Sequence, residues 1–329
     1  MQAVIFDQPG GAEKLRIGEW ETPQPDKHEI LIKVAATALN RADILQREGK
    51  YPPPKGSSPI LGLEVSGEVV ETGSEAKRWK QGDLVFGLIP GGGYAQYAVI
   101  HEDMAMPVPD SLSLAEAAAI PEVSLTAYQA LSWLAYFKKG EKLLIHAGAS
   151  GVGTAAIQLA REMGAGKIIV TASASKHPLC LELGANLAID YQNQDFEKVV
   201  NEQTDGKGVD VIIDFIAAPY FNSNINCLGM DGRLVLLAIL GGVKVEELNL
   251  LKLLSKRLQI TASTLRSRSL EYQIQLTKDF SAFALPLFEK GILKPVVDSM
   301  YSWKEVADAH TYMESNQNSG KIVLVIKEN

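Results

Sequence analysis

The run Leu143-Leu144-Ile145-His146-Ala147-Gly148-Ala149-Ser150-Gly151-Val152-Gly153-Thr154-Ala155-Ala156-Ile157 restricts the possible folds of this chain more than any other segment. An apolar stretch runs into a glycine turn and then into a helical pattern that closes at Gly164. That order describes a buried strand, a tight turn and a helix. Against G-x-G-x-x-G the segment scores two of three, with Gly148 first, Ser150 in the middle place and Gly153 last. Such a turn brings backbone N–H groups close to a pyrophosphate at a helix N-terminus, where the helix dipole favours an anion. Gly151, Val152 and Gly153 would supply the close approach and the helix–strand packing, and the Ser150 hydroxyl a further donor. The plain alternative is a β–α turn whose glycines only permit tight packing. A mononucleotide P-loop is excluded, because no Gly-Lys-Ser/Thr follows. The expected ligand is a dinucleotide.

The sequence after this turn supports that choice. Apolar runs at Leu143–His146, Lys167–Thr171, Val209–Asp214 and Arg233–Ala238 alternate with helical patterns. Strands that are apolar throughout and separated by helices predict a parallel sheet covered on both faces. The second run ends Ile169-Val170-Thr171-Ala172-Ser173-Ala174-Ser175-Lys176-His177, with no carboxylate before Glu182. An acidic residue there would grip the ribose diol of NAD. Its absence, with Ser173 and Lys176 placed to attract a 2′-phosphate, predicts NADPH. A solvated surface lysine is the alternative for Lys176.

Both flanks are β-rich. Ile30–Val34 and Val65–Val70 look like strands, Gln81-Gly82-Asp83 like a turn before Leu84–Phe86, and Lys321–Ile326 like a final strand. Ser113-Leu114-Ala115-Glu116 is a capping box opening an Ala-rich helix, and Pro121 resets the chain. Gly49–Pro59 carries four prolines and two glycines, the composition of an exposed binding loop or lid. An α/β unit between two β-rich flanks implies a discontinuous second domain. A length of 329 residues suits two domains.

Composition closes off several classes. Hydrophobic residues at 46% and charged residues at 22% exclude disorder. A net charge of −7 without a basic stretch argues against nucleic acid as a partner. Cys180 and Cys227 cannot make a disulfide framework. The N-terminal residues lack a signal-peptide pattern, and Leu234–Val243 is too short to span a bilayer. A reducing, cytoplasmic setting is expected, with no membrane involvement.

Taken together, Ala38-Leu39-Asn40-Arg41-Ala42-Asp43, Ile60–Glu64, Pro90–Tyr97, Ala118–Glu122, His146–Leu159 and Thr264–Arg268 resemble the medium-chain dehydrogenase/reductase superfamily. Within it, the chain is most similar to the zinc-independent quinone oxidoreductase branch. The resemblance spans nearly the whole chain. It implies a GroES-like catalytic domain from residues 1–122 and 264–329, and a Rossmann domain at 123–263. It also implies a homodimer in which the sheet edge near Leu258–Ser263 pairs across the two-fold axis. A strand covered by its own chain is the alternative.

The remaining site residues come from this resemblance. Thr126 is expected near the nicotinamide and Tyr191 beside the adenosine phosphate. Phe215, Ile216, Leu240 and Gly241 are expected beyond the strand ends, and Leu265 and Asn318 in loops that reach the cofactor. Zinc-dependent relatives carry a Cys in the first block and a His in Gly-His-Glu. Here those places hold Asn40 and Leu63, and the five histidines show no paired spacing, so no metal is expected. Without a Lewis acid the acceptor should take hydride readily, as a quinone or an activated enone does. Tyr51 is the first candidate to hydrogen-bond the developing oxyanion, and the Asn40 amide the second. Asn40 has another candidate role at the nicotinamide ribose, Asp43 one as a cap or ion-pair partner, and Glu64 one as a buried structural carboxylate. Three functions stay open: NADPH-dependent quinone reduction, reduction of enone or 2-alkenal double bonds, and non-catalytic NADPH sensing.

Overall fold

In the computed structural model, which describes residues 1–326, the chain forms two compact units. One combines Met1–Leu125 with the chain from Arg266 onward, and the other is Thr126–Leu265.

The Thr126–Leu265 unit is built on a six-stranded sheet whose pairs are all parallel. In space the strands run Leu187–Asp190, Lys167–Ala172, Lys142–Ile145, Val209–Asp214, Leu228–Leu236, Gln259–Ala262. In chain order that is third, second, first, fourth, fifth, sixth, the doubly wound arrangement of a Rossmann fold. Leu143, Leu144, Ile145, Val211, Ile212 and Ile213 are all fully buried, which is why these strands read as unbroken apolar runs. One layer joins Leu144, Ile169, Ile189, Ile212 and Leu234 to Phe196, Val200 and Ile225. Each such side chain contributes about 1.5–3 kcal/mol on leaving water, so this layer holds helices to sheet. The edge strand Gln259–Ala262 pairs with Leu228–Leu236 only, among the described residues.

The other unit contains a seven-stranded, mainly antiparallel sheet. Its centre is the long strand Glu29–Ala38, which pairs with Glu64–Thr72, Tyr97–His101 and Lys321–Val325. The last strand arrives from the far end of the sequence, so this unit is discontinuous. Ala36, Ala38 and Val323 pack beneath Ala118 and Ala119. The short helix Leu114–Ala117 opens with the expected capping box, Ser113 Oγ accepting from the Glu116 N–H. The proline-rich stretch after Gly49 contains no helix or strand before Glu64.

Candidate active site

In the Thr126–Leu265 unit, the turn after Ile145 has the geometry that an anion requires. Ser150 caps the helix Gly151–Glu162, its hydroxyl accepting from the Gly153 N–H at 3.1 Å. The first amides of a helix have no partner within it, which leaves those of Gly151 and Val152 for a ligand or water. A side chain on Gly153 would press a Cβ to within 2.4 Å of the Ala147 carbonyl oxygen and 2.6 Å of the Gly148 carbonyl oxygen. Neither oxygen belongs to a flexible group, so only glycine fits. Just before the turn, Ala147 adopts φ +49°, a conformation disfavoured for a residue with a side chain.

Sheet register assembles the other expected positions. Asp190 pairs with Ala172 across the two neighbouring strands, so Tyr191 and Ser173 emerge side by side, with Lys176 in the following turn. Asp190 is bonded to the Gln192 N–H and the Asn193 amide. Asp214 ends the fourth strand, and its carboxylate accepts from the amides of Ile216 and Ala217. The Leu240 and Gly241 amides donate to the Phe215 and Ile216 carbonyls at 3.0 and 2.8 Å. Phe215, Ile216, Leu240 and Gly241 therefore form one joined pair of loops. Thr126 lies on the helix Pro121–Tyr128, and Leu265 is buried.

Beneath these loops runs a support that sequence reading missed. The Asn224 amide donates to Asp214 at 3.0 Å, and its oxygen lies 2.7 Å from His146 Nε2. Burial pushes the His146 imidazole down, so it is neutral. Its one N–H then belongs on Nε2, and Nδ1 accepts from the Thr171 hydroxyl at 3.0 Å. The network ties together the C-terminal ends of three strands.

The first unit holds a different kind of cluster. Val323 pairs with Ala38 in an antiparallel ladder, a register that sets Lys321 opposite Asn40. Lys321 Nζ donates to the Leu39 carbonyl, to Asn40 Oδ1 and to Glu64 Oε1 at 2.6, 2.7 and 2.7 Å. Both charged side chains are sealed from water, Glu64 at 0% and Lys321 at 4% exposure. The other Glu64 oxygen accepts from the Glu122 N–H at 2.8 Å. Glu64 is thus a buried, fully partnered carboxylate. The Asn40 amide donates to Glu64 Oε1 at 2.9 Å and to the Ala38 carbonyl at 3.3 Å. Both its hydrogens are committed, so Asn40 is not the spare donor the sequence suggested.

Asp43 serves as a cap, accepting from the Asn40 and Gly62 amides at 2.8 and 2.9 Å. Gly62 adopts φ +96°, and a Cβ there would strike Tyr94 and Gly93. Burial pushes the Asp43 carboxyl up to about 6. Tyr94 donates to Asp43 at 3.3 Å and lies 3.3 Å from His310 Nε2, while Arg47 meets His310 Nδ1 at 3.2 Å. Burial, and then the Arg47 cation, push His310 down to about 3.

Tyr51 stands apart from that network. Its ring is partly buried, the Arg266 guanidinium lies 5.5 Å from the ring centroid, and its hydroxyl bonds to no described residue. Burial raises the phenol, Arg266 opposes that shift and Glu122 reinforces it. Asn318, also in this unit, donates to the Gly320 carbonyl at 3.0 Å.

A zinc site does not fit these residues. Among the described residues no three His, Cys, Asp or Glu side chains come together as a ligand set. Cys180 and Cys227 are buried free thiols, pushed up to about 11 and 12 by burial.

With this geometry in place, resemblance to known proteins can be read region by region. Residues 26–110 match the alcohol dehydrogenase GroES-like domain, and residues 151–287 the family described as zinc-binding dehydrogenase. A quinone oxidoreductase of Lama guanicoe is 32% identical over 334 residues, covering 99% of this chain and 98% of the relative. The 2-methylene-furan-3-one reductase of Solanum lycopersicum is also 32% identical, over 98% of this chain and 79% of its own. Among solved structures, Escherichia coli quinone oxidoreductase complexed with NADPH superposes with a TM-score of 0.88 at 31% identity, covering 99% of this chain and 100% of that one. The doubly wound sheet, the capped glycine turn, the discontinuous first unit and full-length similarity all agree, and the chain belongs to the quinone oxidoreductase branch of the medium-chain dehydrogenase/reductase superfamily.

Proposed function

We propose that this protein is an NADPH-dependent reductase of quinones that works without a metal. The observation that carries the reading is the Tyr51 hydroxyl, a partly buried donor that bonds to no described residue. Such a donor has its full strength left for an oxygen that gains charge.

The cofactor assignment draws on the fit of the turn and on the NADPH-bound relative. The Ser150 hydroxyl and the amides of Gly151 and Val152 would hold the pyrophosphate, and Gly153 would allow its close approach. Ser173, Lys176 and Tyr191 would hold the 2′-phosphate, with the neighbouring Asp190 carboxylate engaged by the Gln192 and Asn193 N–H groups. Phe215, Ile216, Leu240, Gly241, Thr126 and Leu265 would complete the binding surface of the Thr126–Leu265 unit. Bound NADPH supplies a hydride, two electrons with one hydrogen nucleus. A quinone that accepts it becomes the quinol monoanion, and one proton from solvent completes the quinol. Tyr51 would bond to the oxygen that carries the negative charge. Asn40, pinned by Lys321 and Glu64, shapes the neighbouring backbone.

A second reading is reduction of an enone double bond, supported by the tomato relative. The same phenol would then meet an enolate oxygen. NADPH consumption by metal-stripped protein, measured with a quinone and an enone offered separately and with NADH as control, tests both. Quinone-dependent oxidation that prefers NADPH and survives chelation is expected. Faster turnover of the enone would move the assignment to the second reading, and saturable NADPH binding without turnover would move it to a sensing role.

The same reading includes a homodimer. The edge strand Gln259–Ala262 lies near the exposed side chains of Leu250, Leu251 and Leu254 in chain order, each more than two-thirds uncovered. An open apolar edge of this kind favours pairing with a second copy. The two buried free thiols suit a reducing, cytoplasmic setting.

A further inference from the structure

Arg47 and Arg233 are buried and Arg266 is partly buried, and the three differ in what neutralises them. Arg47 donates to Glu314 at 2.7 Å, and Arg233 to Glu141 at 2.5 Å. Arg266 has no carboxylate partner among the described residues. Its Nε and Nη2 both donate to the Pro90 carbonyl, at 2.8 and 2.6 Å. Its Nη1 is shielded from solvent and has no hydrogen-bond acceptor. Shielding a guanidinium nitrogen from water without an acceptor carries a desolvation cost, so this partly buried cation held by two bonds to one carbonyl needs a reason.

The reason lies on its other side, where the guanidinium carbon sits 5.5 Å from the Tyr51 ring centroid. A cation over an aromatic face is attracted to it and draws electron density from the ring. We propose that Arg266 is a positioning residue for the reduction, acting through Tyr51. Clamped to the Pro90 carbonyl, it fixes the plane of the Tyr51 ring and makes the phenol a stronger donor toward the oxygen that gains negative charge. The inference rests on the quinone-reductase reading above and adds a residue which that reading does not need.

The charge balance is simple. Hydride addition brings two electrons and one hydrogen nucleus to the quinone, leaving one negative charge on its oxygen. That charge appears beside the Tyr51 O–H, and a solvent proton then neutralises it. The charged groups acting on Tyr51 are Arg266 and Glu122, of opposite sign. Asp43 also acts on Arg266. Removing the arginine leaves Glu122 unopposed at the phenol.

The test uses Arg266→Gln and Arg266→Lys in the full-length protein, after wild-type turnover of a quinone with NADPH has been established. No wild-type turnover overturns the functional reading itself. Given turnover, Arg266→Gln should lower kcat on the order of tenfold or more, move the alkaline limb of kcat to higher pH and leave the NADPH Kd unchanged. Arg266→Lys, which keeps the charge, should recover most of the loss. The same Gln change made in Tyr51→Phe should have little further effect, because the hydroxyl it acts through is gone. An unchanged kcat and pH profile, a loss equally large in Tyr51→Phe, or a weakened NADPH Kd with kcat intact would each overturn the proposal. If Arg266→Gln does not fold, the Lys variant alone decides: near wild-type kcat and an unmoved alkaline limb support the charge role, and a full loss despite normal NADPH binding contradicts it.

Discussion

The glycine turn of the Thr126–Leu265 unit and the polar cluster of the first unit solve different problems with different chemistry. The turn offers backbone donors: Ser150 and the amides after it are near neighbours in sequence, and Gly153 is required because a Cβ there would meet two carbonyl oxygens. The cluster is built from side chains at 40, 43, 64 and 321, and only sheet register brings them together. A backbone site tolerates change anywhere except at its glycines and cap. A buried ion pair depends on both partners at once. The difference teaches where each unit is fragile.

The sharpest way to break the comparison is at Lys321. Lys321→Met would leave Glu64 charged and buried without its cation, and should destabilise the first unit by about 3–5 kcal/mol. Pairing it with Glu64→Gln should restore much of the loss. Chemical denaturation of the three variants checks this, and additive losses would mean the pair is not coupled.

A smaller effect separates two titrating groups in the Asp43–Tyr94–His310 network. His310 is held at about 3 in the folded state, below its ordinary 6.5. The stability contributed by its neutral ring is therefore present above pH 6.5 and lost as pH falls toward about 3, by at most ~1.4 kcal/mol per pH unit. Asp43 has the opposite sign. Held at about 6 against 3.8, it contributes stability below pH 3.8 that is lost as pH rises through about 6. The stability difference between wild type and His310→Gln, followed by denaturant titration, should shift against wild type on acidification. A difference independent of pH would remove His310 from the account.

The mildest change falls on the turn. Ser150→Ala deletes the cap on the Gly153 amide and should cost about 1 kcal/mol of stability. NADPH affinity, read by calorimetry, should weaken while stability of the first unit is retained. Unchanged NADPH affinity would mean that the Ser150 hydroxyl contributes nothing to the phosphate.

Legibility in the sequence followed the same division. Val209–Asp214 and the glycine turn are contiguous patterns with a local cause, and they were readable as strand and turn. Ser113 with Glu116 was readable as a capping box for the same reason. Lys321 was missed because nothing near it in sequence marks it. Its role appears only when Val323 pairs with Ala38. His146, Asn224 and Asp214 were likewise hidden, since each alone is an ordinary polar residue and only the fold brings a strand end, a turn and a helix together. Asn40 was identified as important, but its amide proved to be spoken for by Glu64 and Ala38. Donor availability depends on partners, and partners are a tertiary fact.

The central claim is that NADPH bound at the turn reduces a quinone with help from Tyr51. The most direct measurement is a single turnover: metal-stripped protein pre-loaded with NADPH is mixed rapidly with a quinone, for wild type and for Tyr51→Phe. The account requires NADPH to be consumed in both, with the rate in Tyr51→Phe lowered about a hundredfold at unchanged NADPH affinity. Bound NADPH that is never oxidised by the quinone, or equal rates in the two proteins, would contradict it.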